Sequence, residues 1–184
     1  MNERQFHGDI DHLCSSERLQ RLEVPRVVAL CLQGIEAHSV LDVGVGSGVF
    51  AQEFARRGLR VAGVDINPQM VAFSKELLPA GVFQIAPAEQ LPFESNSFDL
   101  VFLGLVLHEC DDAPHALHEA GRVARRSAAI LEWHYRVEDF GPPLHHRLQP
   151  QQIENWAQQA GFAGIKSHPL EKIQLYILDK QPDH

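Results

Sequence analysis

Five short apolar runs alternate with helix-like stretches from Ser39 onward, and this alternation limits the possible fold more than any other feature of the sequence. The runs are Ser39–Val43, Arg60–Asp65, Val82–Ala86, Asp99–Leu103 and Ala128–Trp133. Several are apolar at almost every position, which is typical of parallel strands covered on both faces. The stretches Val49–Arg57, Pro68–Leu78 and Ala113–Arg125 are predicted helices. The pattern predicts an α/β fold with a doubly wound, mostly parallel sheet.

The two ends of the chain depart from this alternation. Residues Ser15–Leu32 read as helix interrupted near Pro25, and Gln151–Ala160 reads as another helix. Two strand-like runs, Gly164–His168 and Lys172–Leu178, are too close for a parallel crossover and are predicted to form an antiparallel hairpin. We expect a single domain over residues 1–184, with a helical lid segment at 1–35 and a substrate-side loop at 137–148.

The charge balance of the chain indicates which classes of partner it is suited to bind. The chain has 16 Lys and Arg against 24 Asp and Glu, a formal net charge of −8. Proteins that bind nucleic acid usually present a basic field, so a nucleic-acid substrate is disfavoured. One short basic group, Arg122, Arg125 and Arg126, is interpreted as the solvated end of a helix.

The chain carries no apolar run of the ~20 residues that cross a bilayer, and its N-terminus lacks the apolar core of a signal peptide. Cys14, Cys31 and Cys110 are widely spaced, as expected for reduced thiols. These features predict a cytoplasmic protein without a membrane partner. The sequence leaves the oligomeric state open.

A glycine-rich turn follows the first predicted strand, in Val40–Gly48. A tight βα turn without a ligand is one reading. The other is a nucleotide site, favoured by Asp65 at the end of the next strand, where an acid can accept both ribose hydroxyls. The dinucleotide pattern GxGxxG requires a third glycine at position 49, which is Val. Asp42 would repel a pyrophosphate but attract an ammonium or sulfonium group, so S-adenosylmethionine is favoured over a dinucleotide.

Together with these residues, several ordered motifs resemble the class I methyltransferases, a family that includes ubiquinone and menaquinone methyltransferases. The motifs are VLDVGVGSG at 40–48, GVDIN at 63–67, AEQLPFESNSFDLVF at 88–102, LGLVLHECDD at 103–112, ALHEAGRVAR at 116–125 and LQPQQIENWAQQAGF at 148–162. The resemblance implies a seven-stranded Rossmann-like sheet with an antiparallel last strand. It also implies S-adenosylmethionine as the cofactor.

The resemblance assigns cofactor contacts by position. Gly44, Gly46 and Gly48 would surround the methionine part, Asp42 would lie near its ammonium group, Asp65 would hold the ribose, Ile66 would pack on the adenine, Ala88 would donate its N–H to the ring, and Leu103 would also contact the cofactor. Pro87 stands where the family usually has an Asp that accepts from the adenine amino group. One adenine contact is therefore missing unless Glu89 or a carbonyl replaces it. Arg18 is predicted either to contact the cofactor carboxylate or to form a surface salt bridge.

Candidates for catalysis come from the carboxyl ends of the strands, where such folds place their sites. His108 is a candidate general base or a pocket-shaping residue, and Glu132 is a candidate catalytic group or a cap for a backbone group. His145 and His146 are interpreted as a solvated pair. The chain has eleven histidines, but His115 and His118 are predicted on a solvent face and no metal site is predicted.

Methyl transfer to a small-molecule acceptor is the function that the sequence favours. A second hypothesis is a non-catalytic protein that binds S-adenosylmethionine and keeps only the fold. A third, a dinucleotide-dependent oxidoreductase, is disfavoured by the glycine spacing. The sequence does not name the acceptor.

Overall fold

Seven strands form one sheet in the order β3-β2-β1-β4-β5-β7-β6. The structure is a computed structural model that describes residues 15–180. The strands are β1 Ser39–Val43, β2 Arg60–Asp65, β3 Val82–Ile85, β4 Phe98–Gly104, β5 Ala124–Trp133, β6 Phe162–Pro169 and β7 Ile173–Lys180. The helices are α1 Ser16–Leu22, α2 Val24–Cys31, α3 Val49–Arg56, α4 Pro68–Leu77, α5 Ala113–Val123 and α6 Pro150–Gln159. Cys14 and the first part of the predicted lid segment lie outside the described residues.

Strands β1 to β5 run parallel, and β7 lies antiparallel between β5 and β6. This topology confirms the predicted doubly wound sheet with its antiparallel last strand. Successive side chains of a strand point to opposite faces. Val40 accordingly faces a core shared with Val28 and Phe54, while Leu41 faces a core shared with Leu117. Helices on both faces bury the central strands, and this holds the carboxyl ends of β1, β2, β4 and β5 in fixed positions.

The start of β5 corrects one sequence interpretation. Helix α5 ends at Val123, and the chain enters the sheet at Ala124, which pairs with Phe98. Arg125 and Arg126 therefore lie in a strand, and only Arg122 lies in the last turn of the helix. The prediction of one solvated helix end was wrong for these two residues because both of their side chains turn toward the carboxylate of Asp99.

Asp99 fastens the amino-terminal ends of β1 and β4 together. Its Oδ2 accepts hydrogen bonds from the backbone N–H groups of His38 at 2.9 Å and Ser39 at 3.1 Å, and from Ser39 Oγ at 3.0 Å. Its Oδ1 accepts from Arg125 at 2.9 Å. Burial raises the pKa of Asp99, but these hydrogen bonds and the charge of Arg125 outweigh it, so the net pKa lies below its usual range.

We expect Asp99→Asn to lower the free energy of unfolding at pH 7 by about 1–2 kcal/mol, because an amide loses the charge-assisted bonds to partly exposed arginines. A carboxyl group with a depressed pKa stabilises the fold above its unfolded pKa and loses that contribution as the pH falls through its folded pKa. The free energies of unfolding of the two proteins, measured in urea, should therefore converge as the pH drops below the usual range of aspartate pKa values. A difference that stays constant down to acidic pH would contradict the role of the charge.

Between residues 15 and 180 the longest helix has eleven residues, too few to cross a membrane.

Candidate active site

The glycine turn after β1 packs directly against the segment that follows β4. Gly44, Gly46 and Gly48 adopt positive φ angles of 70°, 50° and 71°. The N–H of Gly44 donates to Val64 O at 2.8 Å, which anchors the turn to β2. A Cβ at Gly44 would lie 2.5 Å from Val106 Cγ2, so only glycine allows this approach. The turn and residues 106–109 therefore form adjacent walls at the carboxyl edge of the sheet.

Asp65 closes the far side of the glycine turn. Its Oδ2 accepts from the N–H of Gly46 at 2.9 Å, and its Oδ1 accepts from the N–H of Asn67 at 2.9 Å. Burial is the main cause that raises the pKa of Asp65, and the backbone donors oppose it. Each carboxylate oxygen has a second lone pair for a ligand. The fixed orientation fits the predicted ribose contact.

Asp42 is a buried carboxyl group with an unused acceptor. Its residue is 2% exposed, and Asp42 Oδ2 has no hydrogen-bond partner among the described residues. Burial, and then the nearby charge of Asp65, raise the pKa of Asp42 to about 8. A buried polar atom without a partner is unfavourable unless a ligand satisfies it. A cationic ammonium group in the glycine turn would do so, and these residues therefore fit S-adenosylmethionine.

We expect the affinity for S-adenosylhomocysteine to rise with pH between about pH 6 and pH 7.5, approaching tenfold per unit, because the ammonium group binds ionised Asp42. Asp42→Asn should bind more weakly, with a flatter pH dependence. The raised pKa also means that the unliganded fold loses stability as pH rises from the unfolded value toward about 8. Asp42→Asn should therefore melt higher than wild type near pH 8. Titration calorimetry at several pH values is the measurement, and equal slopes for the two proteins would contradict the pairing.

The residues predicted to contact the adenine differ in their exposure and in their partners. Ile66 is 48% exposed beside Asp65, as an apolar surface for a ring would be, and Ala88 is buried. Glu89 is directed elsewhere, since its Oε1 accepts from the N–H of Asp112 at 3.2 Å. Leu103 is fully buried within the core of the sheet, with 0% exposure. It exposes no surface to a cofactor, and its contact with the cofactor stays a prediction.

His108 and Glu132, predicted separately from the ends of two strands, form one buried pair. Nδ1 of His108 lies 2.8 Å from Oε2 of Glu132, and the backbone N–H of His108 donates to Oε1 at 3.1 Å. The residues are 4% and 1% exposed. Strands β4 and β5 are neighbours, which brings the turn after β4 over the end of β5. Since a carboxylate accepts, Nδ1 is the protonated nitrogen and Nε2 of the neutral ring keeps its lone pair.

Two further charged residues, Glu109 and Arg18, act on this pair. Burial lowers the pKa of His108, but the Glu132 carboxylate and then Glu109 raise it, with a smaller opposing effect from Arg18. The net pKa lies above the ordinary histidine value. Nε2 of His108 is 3.7 Å from Oε1 of Glu109. The ring is therefore held as a base stronger than free imidazole.

Arg18 comes from α1 and lies over the ring of Trp133, with its guanidinium carbon 6.0 Å from the ring centroid. No hydrogen bond or ion pair to this guanidinium is seen in residues 15–180, and the predicted surface salt bridge is not formed there. Burial is the main cause that lowers the pKa of Arg18, with Glu109 opposing it. A half-buried cation is thus available beside the site, as binding of an anionic group requires.

Arg147 holds the predicted substrate-side loop, a role that the sequence did not indicate. Its buried guanidinium donates to three carbonyl oxygens, of Pro142 at 2.8 Å, His134 at 2.9 Å and Phe140 at 2.5 Å. The loop backbone also lies close to Trp133, since a Cβ at Gly141 would be 3.0 Å from its ring. Such a cluster of bonds needs positions that only the fold brings together. The result is a fixed wall after β5.

A cleft of about 410 Å³ lies between this wall, the turn after β4 and the start of α6. Its lining includes Leu107, Tyr135, Leu148 and Trp156, and also His145 and His146. His108 itself is not part of the lining, but the adjacent Leu107 is. The cleft is large enough for a small molecule, and its lining reaches the residue that precedes His108.

The described residues show no group of three or more His, Cys, Asp or Glu arranged to hold a metal ion. His115 and His118 stack with ring centroids 6.1 Å apart on the exposed side of α5.

Comparison with known proteins supports the assignment from geometry. Residues 41–131 match a family described as a methyltransferase domain. The bifunctional biotin-biosynthesis protein BioHC of Cellvibrio japonicus is 30% identical over 131 residues, which is 70% of this chain and 25% of that protein. A malonyl-[acyl-carrier protein] O-methyltransferase of Serratia marcescens is 35% identical over 92 residues, 50% of this chain and 36% of that protein. The chain spans less than half the length of these curated relatives.

A solved S-adenosylmethionine-dependent methyltransferase from Aquifex aeolicus has the same fold, with a TM-score of 0.76 and 22% identity over 92% of this chain and 96% of that one. Sheet order, glycine turn and acidic residues together define the class I methyltransferase architecture. This chain belongs to the class I S-adenosylmethionine-dependent methyltransferases. The cofactor of the class is S-adenosylmethionine, as predicted from the glycine spacing and Asp42. The closer likeness to ubiquinone and menaquinone methyltransferases stays a prediction.

Proposed function

We propose that this protein transfers a methyl group from S-adenosylmethionine to a small-molecule acceptor in the cytoplasm. The observation that carries the proposal is the contact between the glycine turn and the segment after β4. This contact supports a cofactor cradle at the glycine turn, next to the segment that carries His108. The cofactor, when bound, supplies a methyl group that is already activated on a sulfonium. The protein's task is then to hold the two reactants in line and to exclude water.

Each part of the site has a proposed task. Asp42 attracts the ammonium group, Asp65 accepts from the ribose hydroxyls, and Ile66 covers the adenine. Arg18 supplies a cation for the cofactor carboxylate. The loop at 137–148 and the described part of the predicted lid segment, helices α1 and α2, complete the acceptor side of a single domain.

Several features support a small acceptor rather than a macromolecule. The net charge of −8 is unfavourable for binding nucleic acid. The cleft has a volume of about 410 Å³, and part of its lining comes from the loop that Arg147 holds. The Serratia relative is named for O-methylation of a malonyl group on a carrier protein. A carrier-bound acyl group would also enter such a cleft as a small moiety.

Calorimetric titration with S-adenosylhomocysteine, set beside NAD, tests the proposal, followed by a screen of acceptor pools for release of S-adenosylhomocysteine. We expect binding of S-adenosylhomocysteine, no binding of NAD, and release with at least one pool. Binding without release in any pool would favour the non-catalytic scaffold. Binding of NAD alone would favour an oxidoreductase.

A further inference from the structure

The His108–Glu132 pair is built more firmly than a pocket wall requires. Both oxygens of Glu132 are occupied, because Oε1 accepts from the backbone N–H of His108 and Oε2 accepts from Nδ1, with the N–H of Trp133 at 3.3 Å from the same atom. Backbone and ring of one histidine are thus fixed by one carboxylate. This arrangement sets the tautomer and directs Nε2 away from Glu132, which is the geometry of an oriented base.

Methyl acceptors differ in whether the atom that receives the methyl group still carries a proton at neutral pH. A carboxylate, with a pKa of about 4, is already ionised and needs no base. A hydroxyl or an ammonium group with a pKa of about 10 keeps its proton and must lose it when the bond to the methyl carbon forms. A fixed base is useful only for the second kind of acceptor.

The charges around the His108–Glu132 pair also favour an acceptor that still carries its proton. The groups facing His108 are Glu132 from β5, Glu109 from its own turn and Arg18 from α1. Two carboxylates and one guanidinium leave an excess of negative charge. An acceptor carboxylate placed at Nε2 would be repelled by it, whereas a neutral hydroxyl or a positive ammonium group would not.

We propose that the acceptor atom is a protonated oxygen or nitrogen, that His108 Nε2 removes its proton, and that Glu132 is the positioning residue. This inference rests on the proposed methyl transfer. The O–H or N–H bond breaks and its proton passes to Nε2. The acceptor's electron pair forms the bond to the methyl carbon as the sulfur–methyl bond breaks. The electron pair of the sulfur–methyl bond stays on sulfur, which yields S-adenosylhomocysteine. The imidazolium is then held by Glu132, and solvent takes up the proton.

The experiment uses S-adenosylmethionine with three separate pools: phenols paired with their nitro derivatives, primary amines, and carboxylates that include malonyl thioesters. We expect release of S-adenosylhomocysteine with phenols or amines and none with carboxylates. His108→Gln should slow transfer to the un-ionised acceptors about a hundredfold or more. The loss should shrink for nitrophenols that are ionised at neutral pH, because these need no base.

Glu132→Gln supplies a second readout. The wild-type rate should rise with pH as His108 loses its proton. Since the carboxylate raises the pKa of His108, this rise should move to lower pH in Glu132→Gln, and the kcat reached on the high-pH plateau should be lower. A merely structural role for Glu132 would lower the rate without moving the profile. Affinity for S-adenosylhomocysteine should stay within about twofold in both variants, and His118→Gln, on the exposed side of α5, should retain full activity.

Transfer to carboxylates, no transfer to any phenol or amine, or an equal loss in His108→Gln with ionised and un-ionised acceptors overturns the inference. The proposed function survives the first of these outcomes. It fails instead when S-adenosylhomocysteine does not bind or when no pool supports release.

Discussion

Gly44→Ala is expected to weaken binding of S-adenosylhomocysteine about a hundredfold or more. The new Cβ would lie 2.5 Å from Val106 Cγ2 and 2.7 Å from Val106 Cβ, and real Cβ atoms do not approach this closely. The glycine turn must therefore shift, and the positive φ of 70° adds strain. A displaced turn no longer matches the shape of the methionine part of the cofactor, so the contacts on which binding depends are lost. Titration calorimetry measures the affinity, and circular dichroism checks that the variant is folded.

Gly58→Ala is the matched control for this variant. Gly58 also has a positive φ, of 87°, but a Cβ there would meet nothing within 4 Å. The control should therefore lose about 1 kcal/mol of stability from backbone strain and bind S-adenosylhomocysteine like wild type. A folded Gly44→Ala protein with unchanged affinity would mean that the cofactor binds away from the glycine turn.

Asp65→Ala should weaken the binding of S-adenosylhomocysteine by roughly 2–4 kcal/mol, because a charged acceptor for two ribose hydroxyls is lost. The N–H groups of Gly46 and Asn67 also lose their acceptor, which loosens the turn. Asp65→Asn should lose less, since it keeps one acceptor oxygen. Calorimetry of the three proteins gives the order of affinities directly.

Loosening of the turn has to be separated from loss of the ribose contact. Asn67 caps α4 by accepting from the N–H of Gln69 at 2.9 Å. Asn67→Ala therefore disturbs the turn between β2 and α4, directly after Asp65, without removing a ribose acceptor. It should lower stability by about 1 kcal/mol and leave the affinity nearly unchanged. A loss of less than threefold in Asp65→Ala, or a large loss in Asn67→Ala, would refute the ribose role.

Much of the sheet was predictable because local patterns determine it. Strands β1 and β2 begin and end where their apolar runs do, and the short link between β6 and β7 required a hairpin. The start of β5 was not predictable in this way. Its first residues, Ala124 to Ser127, carry two arginines that look like a helix end, and only pairing with β4 and Asp99 makes them a strand.

The site was predictable as a set of positions but not as a set of contacts. The sequence placed His108 after the fourth strand and Glu132 at the end of the fifth, yet nothing in it indicated that one carboxylate would bind both the ring and the backbone of His108. Leu103 shows the opposite limit. It lies in a strand that ends at the site, but its side chain faces the core, and strand membership alone does not reveal this.

The clamp formed by Arg147 has a consequence for how new specificities could arise in this protein. Three backbone carbonyls depend on one buried guanidinium, so the path of the loop is set by main-chain bonds and tolerates changes in the outward side chains. Tyr135 and Val137, which are exposed, make little contribution to that path. Of these two residues Tyr135 lines the cleft, so substitutions there alter the acceptor wall while the bonds from Arg147 to the main chain are retained. Arg147 thus separates the part of the loop that natural variation or directed evolution can change from the part that it must keep.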